Sequence, residues 1–304
     1  MKKSVTVGIA AYNSESNIKR LLLSLLDQQE ENYLLNKILV HSDFSADQTV
    51  EVVKNVASKK IVVIEAKKRR GFVGSVKALL KENKSDILIL LNDDVLIKDS
   101  LFIKRCLEPF NDKNVGLSSV RLIPTHQITF VEKAVASGYK AYSNFAKNYK
   151  NGNNILTCDG KVLIVTKEFI QKFSFPKTVD EAGNLDTYFY AECLNRKFKY
   201  SFAKNAIIYF RCPATIADFI KWQKRNYKNK IMIQNHFPSV KNEYKIPILQ
   251  FSYYKLIEFI KNPVGSVFIF ILGIYCSLSI KSDKSQFDAT WDLVKSTKDI
   301  SKTL

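Results

Sequence analysis

Asp86-Ile87-Leu88-Ile89-Leu90-Leu91-Asn92-Asp93-Asp94-Val95 carries the strongest structural signal in this 304-residue chain. Five consecutive apolar residues between Asp86 and Asn92 predict a short strand buried on both faces, since a strand with one wet face alternates apolar and polar side chains. The strand ends in two adjacent carboxylates. In an open parallel sheet, ligands gather beyond the carboxyl ends of the strands. Two acids at that edge can hold Mg2+ or Mn2+, and such an ion commonly bridges to phosphates. The same residues also suit a plain Asn-Asp turn with both acids solvated.

Upstream, the pattern alternates strand and helix. Val5 to Asn13 reads as a strand running into a turn. Ser14 to Ser16 can cap a helix whose apolar face is Ile18, Leu21, Leu22, Leu25 and Leu26. A strand from Lys37 to Val40 leads into His41-Ser42-Asp43-Phe44-Ser45-Ala46-Asp47-Gln48-Thr49. A helix to about Ala57, a strand from Ile61 to Glu65, a basic loop from Lys67 to Gly71 and a helix from Val73 to Leu80 follow. This order predicts an α/β fold with a mostly parallel central sheet. The polar clusters fall just after strands.

Ala11-Tyr12-Asn13-Ser14-Glu15, then Ser42 to Thr49, then Arg70-Gly71, then Asn92-Asp93-Asp94-Val95 resemble the inverting family 2 glycosyltransferases of bacterial and archaeal cell-surface glycan type. Order and spacing match over roughly residues 4 to 225. The resemblance implies the GT-A fold and a nucleotide-sugar donor carrying UDP, GDP or dTDP. It implies that Tyr12, flanked by Ala11 and Asn13, packs beside the nucleotide base, and that Glu15 and Asp43 contact base and ribose. Arg70 with Gly71 resembles the basic site near base and phosphates. Asp93 and Asp94 resemble the acidic pair that binds Mg2+ or Mn2+, with Asp94 the direct ligand. Without the resemblance, Tyr12 reads as a core aromatic, and Asp43 and Asp47 as Asx-turn caps. This account requires both acids to line a cleft and to be available to a cation. Burial of the two side chains in ion pairs, or their pointing away from any cleft, would sink the sugar-transfer account built on a metal-held diphosphate.

Some positions depart from the family pattern. Phe44 stands where Gly is common, so a positive φ there implies strain. Phe72 and Lys77 replace a Lys and an Asn, and Asn92 replaces the first acid of the metal motif. The candidate positions for a metal-binding His are Phe210 and Arg211, neither of which ligates a metal. Arg211 suits either a phosphate contact or the surface. Trp222-Gln223-Lys224-Arg225-Asn226-Tyr227 loosely resembles the Gln/Arg/aromatic motif of processive members, with spacing off by one.

The second half supplies the expected acceptor side. Thr157 to Gly160 leads into a strand, Lys161 to Val165, and a helix, Lys167 to Phe173. A further helix opens near Asn184 or Leu185 and runs to about Lys197. Phe198–Phe202 and Ala206–Phe210 read as a strand pair. In the resembled family an acid at the start of the 185–197 helix is the general base, and Asp186 matches it; Asp180 and Glu181 are the fallback bases. The plain reading of Asp186 is a helix N-terminal acid interacting with the dipole.

Composition bounds the rest. A 46% hydrophobic content supports a substantial core, and the net charge of +18 asks for an anionic partner. Lysine and arginine are densest at 67–70, 221–230 and 281–302. No zinc-finger or RNP-type signature accompanies them, so nucleic acid is not expected. The five cysteines show no CxxC spacing, and His41, His126 and His236 form no ligand pattern. No signal peptide is expected, and a reducing cytosol is.

Residues 1–235 read as the GT-A domain, 1–110 as its nucleotide half and 111–235 as its acceptor half; 236–304 read as a helical appendage. Within it, Pro263 to Ile280 carries no charge. It reads as a bilayer span, as a shallow interfacial hairpin with residues 247 to 260, or as a buried helix. Lysines at both ends favour anionic headgroups on the cytosolic face. The expectation is transfer to a glycan or polyprenyl-linked acceptor there. The alternatives are a polyprenyl-phosphate sugar synthase and a non-catalytic, nucleotide-sugar-binding membrane scaffold.

Overall fold

The structure is a computed structural model that describes residues 2–175, 185–238, 240–282 and 294–300. The strands are β1 (Lys3–Ala11), β2 (Tyr33–Ser42), β3 (Ile61–Glu65), β4 (Ile87–Asn92), β5 (Val95–Leu96), β6 (Val115–Pro124), β7 (Val162–Thr166) and β8 (Lys199–Phe210). They form one sheet ordered β3-β2-β1-β4-β7-β6-β8-β5. The β3-β2-β1-β4 half is parallel throughout, as the sequence implies. β7 runs antiparallel to β4 and β6, β8 is parallel to β6, and β5 closes the edge antiparallel to β8.

The apolar run of β4 is explained by two cores. Ile87, Ile89 and Leu91 face one, and Leu88 and Leu90 face the other. Side chains alternate across a strand, so a sheet covered on both faces needs apolar residues at every position. Helix α1 (Ile18–Leu26) packs Ile18, Leu21, Leu22 and Leu25 into the first core. Helix α3 (Gly71–Glu82) packs Val76, Leu79 and Leu80 into the second.

Between these lies α2 (Thr49–Lys54), three residues shorter than the sequence predicts. The remaining helices are α4 (Phe102–Leu107), α5 (Phe130–Asn148), α6 (Lys167–Lys172), α7 (Leu185–Asn195), α8 (Ile216–His236), α9 (Val240–Glu243), α10 (Ile248–Lys261), α11 (Pro263–Ser282) and α12 (Lys295–Lys298).

Two sequence expectations change. The strand pair at 198–210 is a single strand, β8. Its pairing with β6 jumps from Val120↔Ala203 to Arg121↔Ile207. Lys204, Asn205 and Ala206 bulge out of the ladder, and this polar interruption mimics a turn in the sequence. The bilayer-span reading of 263–280 is also replaced. Among the described residues, no helix is long and apolar enough to cross a membrane. One side of α11 packs Ile269, Leu272 and Cys276 against the first core, so it is a surface helix of the domain. The 291–293 part of the expected Trp291–Val294 helix lies outside the described residues, as do Asp180 and Glu181.

The sheet must curl. Asn92 ends β4 and Val95 begins β5, so at most about 11 Å of chain joins them. In the hydrogen-bonded order those strands are four steps apart, or roughly 19 Å in a flat sheet. Curling brings the far edge round, with Asp93 and Asp94 in the throat.

The loop after β2 keeps a left-handed backbone without its glycine: Phe44 has φ 59° and is 59% exposed. A bulky residue in this conformation costs about 1–2 kcal/mol, with only partial burial to offset it. Phe44→Gly is expected to raise unfolding stability by roughly 1 kcal/mol, read as a higher urea midpoint at unchanged slope.

Candidate active site

Strand register gathers the motifs at one edge. Ala10 pairs with Asn92 and Ala11 with Ser42, so Tyr12, Asp43 and Asp93 all follow their strands at the same level. They line a cavity of about 580 Å³. That size suits a small-molecule ligand.

Asp93 is the knot of this edge. Its Oδ2 accepts from the Tyr12 N–H at 2.9 Å and from the Ser14 hydroxyl. Its Oδ1 accepts from the Lys298 ammonium. Asp94 takes both contacts from Lys161, whose Nζ lies 3.2 and 3.0 Å from its two oxygens. Burial alone would raise the Asp94 carboxyl; the Lys161 and Lys298 ammoniums outweigh it and hold it below the usual carboxylate range. Both acids line the cleft, but both are buried in ion pairs, so the free acidic pair that the sequence reading leaned on, with Asp94 as direct metal ligand, is not what this edge presents.

Asp186 lies on the cavity wall at the first turn of α7 and is 8% exposed. Its Oδ2 accepts from the Gly160 N–H at 2.8 Å, and its Oδ1 from the Thr187 N–H at 2.6 Å. A Cβ at position 160 would stand 3.3 Å from Oδ2, so glycine permits the close approach. Burial pushes the Asp186 carboxyl up to about 7, the neighbouring Asp159 adds to the rise, and these hydrogen bonds oppose it.

Other expected residues stand elsewhere. Asp43 accepts the N–H groups of Arg70 at 2.7 Å and Gly71 at 2.8 Å, and so ties the end of β2 to the start of α3, where Gly71 has φ 72°. It is a helix anchor that also faces the cavity. Asn13 and Glu15 accept the N–H groups of Ala46 and Gln48 and do not line the cavity. Asp47 caps the next helix through Thr49, which is its plain reading. The side chain of Arg70 is exposed. Its neighbour Arg69 lines the cavity instead, and its guanidinium lies 4.0 Å from the centre of the Tyr12 ring. In the doublet Arg69-Arg70 nothing local says which member turns inward; the Asp43 clamp on the backbone decides it. Arg211 is buried. It donates to Glu132 at 2.7 Å and to the Asp299 carbonyl at 2.9 Å.

The sequence reading passed over four cavity residues: Asp159, Lys161, Arg225 and Lys298. Burial raises the Asp159 carboxyl. Burial lowers Arg225 from its ordinary value, and Asp94, Asp186 and Asp159 hold it charged. Arg225 lies in the Trp222–Tyr227 stretch, a signal that the sequence did carry. Lys298 comes from α12, 205 positions from Asp93, and no local pattern announces it.

A divalent ion at Asp93 and Asp94 meets oxygen donors of the right hardness. The side chains as placed do not fit it, because ammonium groups hold three of the four carboxylate oxygens and backbone and hydroxyl donors hold the fourth. Among the described residues, no three His, Cys, Asp or Glu side chains converge as a metal-holding group.

Known proteins align with this arrangement. A protein of Mycoplasma genitalium described as an uncharacterized glycosyltransferase is 38% identical over 99 residues. That stretch is 31% of this chain and 33% of the relative, so the match spans about a third of the relative's length. A mannosyltransferase from Pyrobaculum calidifontis, solved in complex with GDP-Man and Mn2+, superposes with a TM-score of 0.59 at 14% identity, over 94% of this chain and 77% of that one. Glucosyl-3-phosphoglycerate synthase from Mycobacterium tuberculosis, solved with Mn2+, UDP and phosphoglyceric acid, gives 0.55 at 13% identity, over 77% of this chain and 78% of that one. These likenesses establish the GT-A-like α/β fold with its curled, mostly parallel sheet. The profile of the family described as glycosyl transferase family 2 matches residues 6–173, more than half of the sequence, and the chain belongs to that family.

Proposed function

We propose that the protein transfers a sugar from a nucleotide-diphosphate donor to an acceptor hydroxyl, with inversion at the anomeric carbon. Family membership supports the donor class. The observation that carries the reaction is Asp186: a buried carboxyl at the cavity wall whose proton affinity is tuned to about 7. A general base works best when its affinity for the proton matches the working pH.

In the proposed step the acceptor oxygen attacks the anomeric carbon, and its proton passes to an Asp186 oxygen. The bond from that carbon to the donor phosphate breaks on the opposite side, and its electron pair leaves with the nucleoside diphosphate. Tyr12 and Arg69 form the wall beside the base. Asp43 keeps the Arg70-Gly71 turn in place beneath it.

The site of action is proposed to be the cytosolic face of a membrane. α10 and α11 both pack on α5 and leave apolar side chains in water, among them Leu249 at 89%, Ile248 at 75% and Ile260 at 71% exposed. Lys245, Lys255 and Lys261 stand exposed on or beside the same helices. Apolar side chains rimmed by lysines on a protein of net charge +18 suit an anionic bilayer surface. A glycan or polyprenyl-linked acceptor would meet the enzyme there.

Asp186→Asn should abolish transfer while UDP, GDP or dTDP binding persists, and wild-type kcat/KM should rise with pH through about 7. Sustained turnover in the variant would put the base elsewhere or mark the acceptor as a phosphate, which needs no base. The stability sign runs the other way. The unfolded Asp ionises near pH 4 while the folded one keeps its proton, so stability falls as pH climbs from there to 7, and Asp186→Asn should remove that loss. For the membrane, the wild type should float with vesicles of phosphatidylcholine and phosphatidylglycerol in a salt-sensitive way. Leu249→Asp with Ile260→Asp should cut that partitioning at least about tenfold; equal flotation of the two proteins would rule this surface out.

A further inference from the structure

We infer that Lys161 and Lys298 together supply the positive charge that receives the donor's diphosphate, so that this chain binds its donor without a divalent ion. The inference rests on the nucleotide-sugar reading above and concerns the same cavity.

The argument begins with charge. Asp93 and Asp94 carry two negative charges, and the two ammonium groups carry two positive ones, the amount that a single divalent ion would bring. Each ion pair is well withdrawn from water: the side chains are 20% and 11% exposed for Lys161 and Asp94, and 20% and 3% for Lys298 and Asp93. At such burial a second pair of positive charges is costly without an anion to meet it. A metal ion added to the paired site would bring that excess.

Donor capacity comes next. An ammonium has three N–H groups. Lys298 spends one on Asp93, and Lys161 directs two contacts at Asp94. Each keeps hydrogen-bonding capacity for phosphate oxygens. The Lys161 ammonium also lies 5.5 Å from the centre of the Phe210 ring, in the cavity wall. Phe210 and Arg211 are the positions where the resembled family offers a metal-binding histidine, so the residue that departs from the pattern is the one that now supports a lysine.

Lys298 is held there by structure. Just before it, the Ser296 N–H donates to Asp218 at 3.0 Å, and the Ser296 hydroxyl accepts from the Ala214 N–H at 3.0 Å. Just after it, Arg211 holds the Asp299 carbonyl, and the Ile300 N–H reaches Asn17. Val294 and Ile300 are buried at the two ends of the segment. Four hydrogen bonds and two buried side chains within seven residues fix α12 against the cavity, with the Lys298 ammonium on Asp93. During transfer the two lysines would face the negative charge that grows on the leaving diphosphate.

The test is calorimetric titration of UDP, GDP and dTDP into the full chain, once in EDTA and once in Mn2+. Ligand-free melting of every variant serves as the check on folding. The inference expects one nucleoside diphosphate to bind in EDTA, with Mn2+ changing its affinity little. Lys298→Gln and Lys161→Gln should each weaken that binding about tenfold or more, and Lys298→Arg should largely restore it. Binding that requires Mn2+ overturns the inference and leaves the transferase reading standing. Tighter binding by Lys298→Gln also overturns it, and marks the segment as a plug that the donor must displace. No binding of any of the three, with or without Mn2+, removes the transferase reading and the inference with it.

Discussion

Neutralising carboxylates withdrawn from water is the constraint on which the rest of this structure depends. Asp93, Asp94 and Asp186 are buried around one cavity, with Asp159 half-buried beside them. An isolated charge in such a place costs several kcal/mol, so each acid must be paired, hydrogen-bonded or protonated. The structure uses all three devices. Lysines pair with Asp93 and Asp94. Backbone N–H groups serve Asp93 and Asp186. For Asp159 and Asp186, burial shifts the balance towards the protonated form. These solutions draw on the ends of β1 and β4, the start of β7, the first turn of α7, and α12. The cavity and the closing of the chain's far end onto the sheet are thus one electrostatic arrangement.

The legible part of this arrangement was local. β4 could be read because a strand covered on both faces leaves an uninterrupted apolar run, and β1 and β3 because strands and helices alternate along the chain. Asp93 and Asp94 were found because they stand at the end of a strand that the pattern predicts, and Asp186 because the family resemblance looks for an acid at the start of a predicted helix. What was missed depended on tertiary register. β6 and α5 carry no motif and drew no expectation. β8 looked like two strands because its bulge is polar. Arg69 and Arg70 are equivalent until Asp43 clamps the backbone of one. Lys298 belongs to the site only because Arg211, Asp218 and Asn17 hold the segment around it.

The charge of +18 likewise has two addresses that composition cannot separate. Part of it is inside: Lys161, Lys298, Arg211 and Arg225 answer buried acids or face the cavity, and add little to the outer field. The remainder is outside, and some of it accompanies the apolar sides of α10 and α11. The uncharged run from 263 to 280 is divided in the fold. Ile269, Leu272 and Cys276 serve the core, while Phe270, Ile271 and Leu278 stay in water. That division is why a hydropathy pattern alone did not decide between a span, a hairpin and a buried helix.

The environment of Asp186 bears on the acceptor. A phosphate acceptor arrives already ionised, so a base beside it would do nothing but repel it. A hydroxyl acceptor must lose its proton as the new bond forms. Burial, the neighbouring Asp159 and the helix start pull the Asp186 proton affinity in opposite directions, and the balance lies near neutrality rather than at an ordinary carboxylate value. Folding forgoes stability to hold a carboxyl in that state, since an exposed aspartate at the same turn would favour the helix without penalty. A costly proton affinity at the cavity wall is easiest to understand where a proton has to be taken, which is the ground for proposing a hydroxyl and not a phosphate as the acceptor.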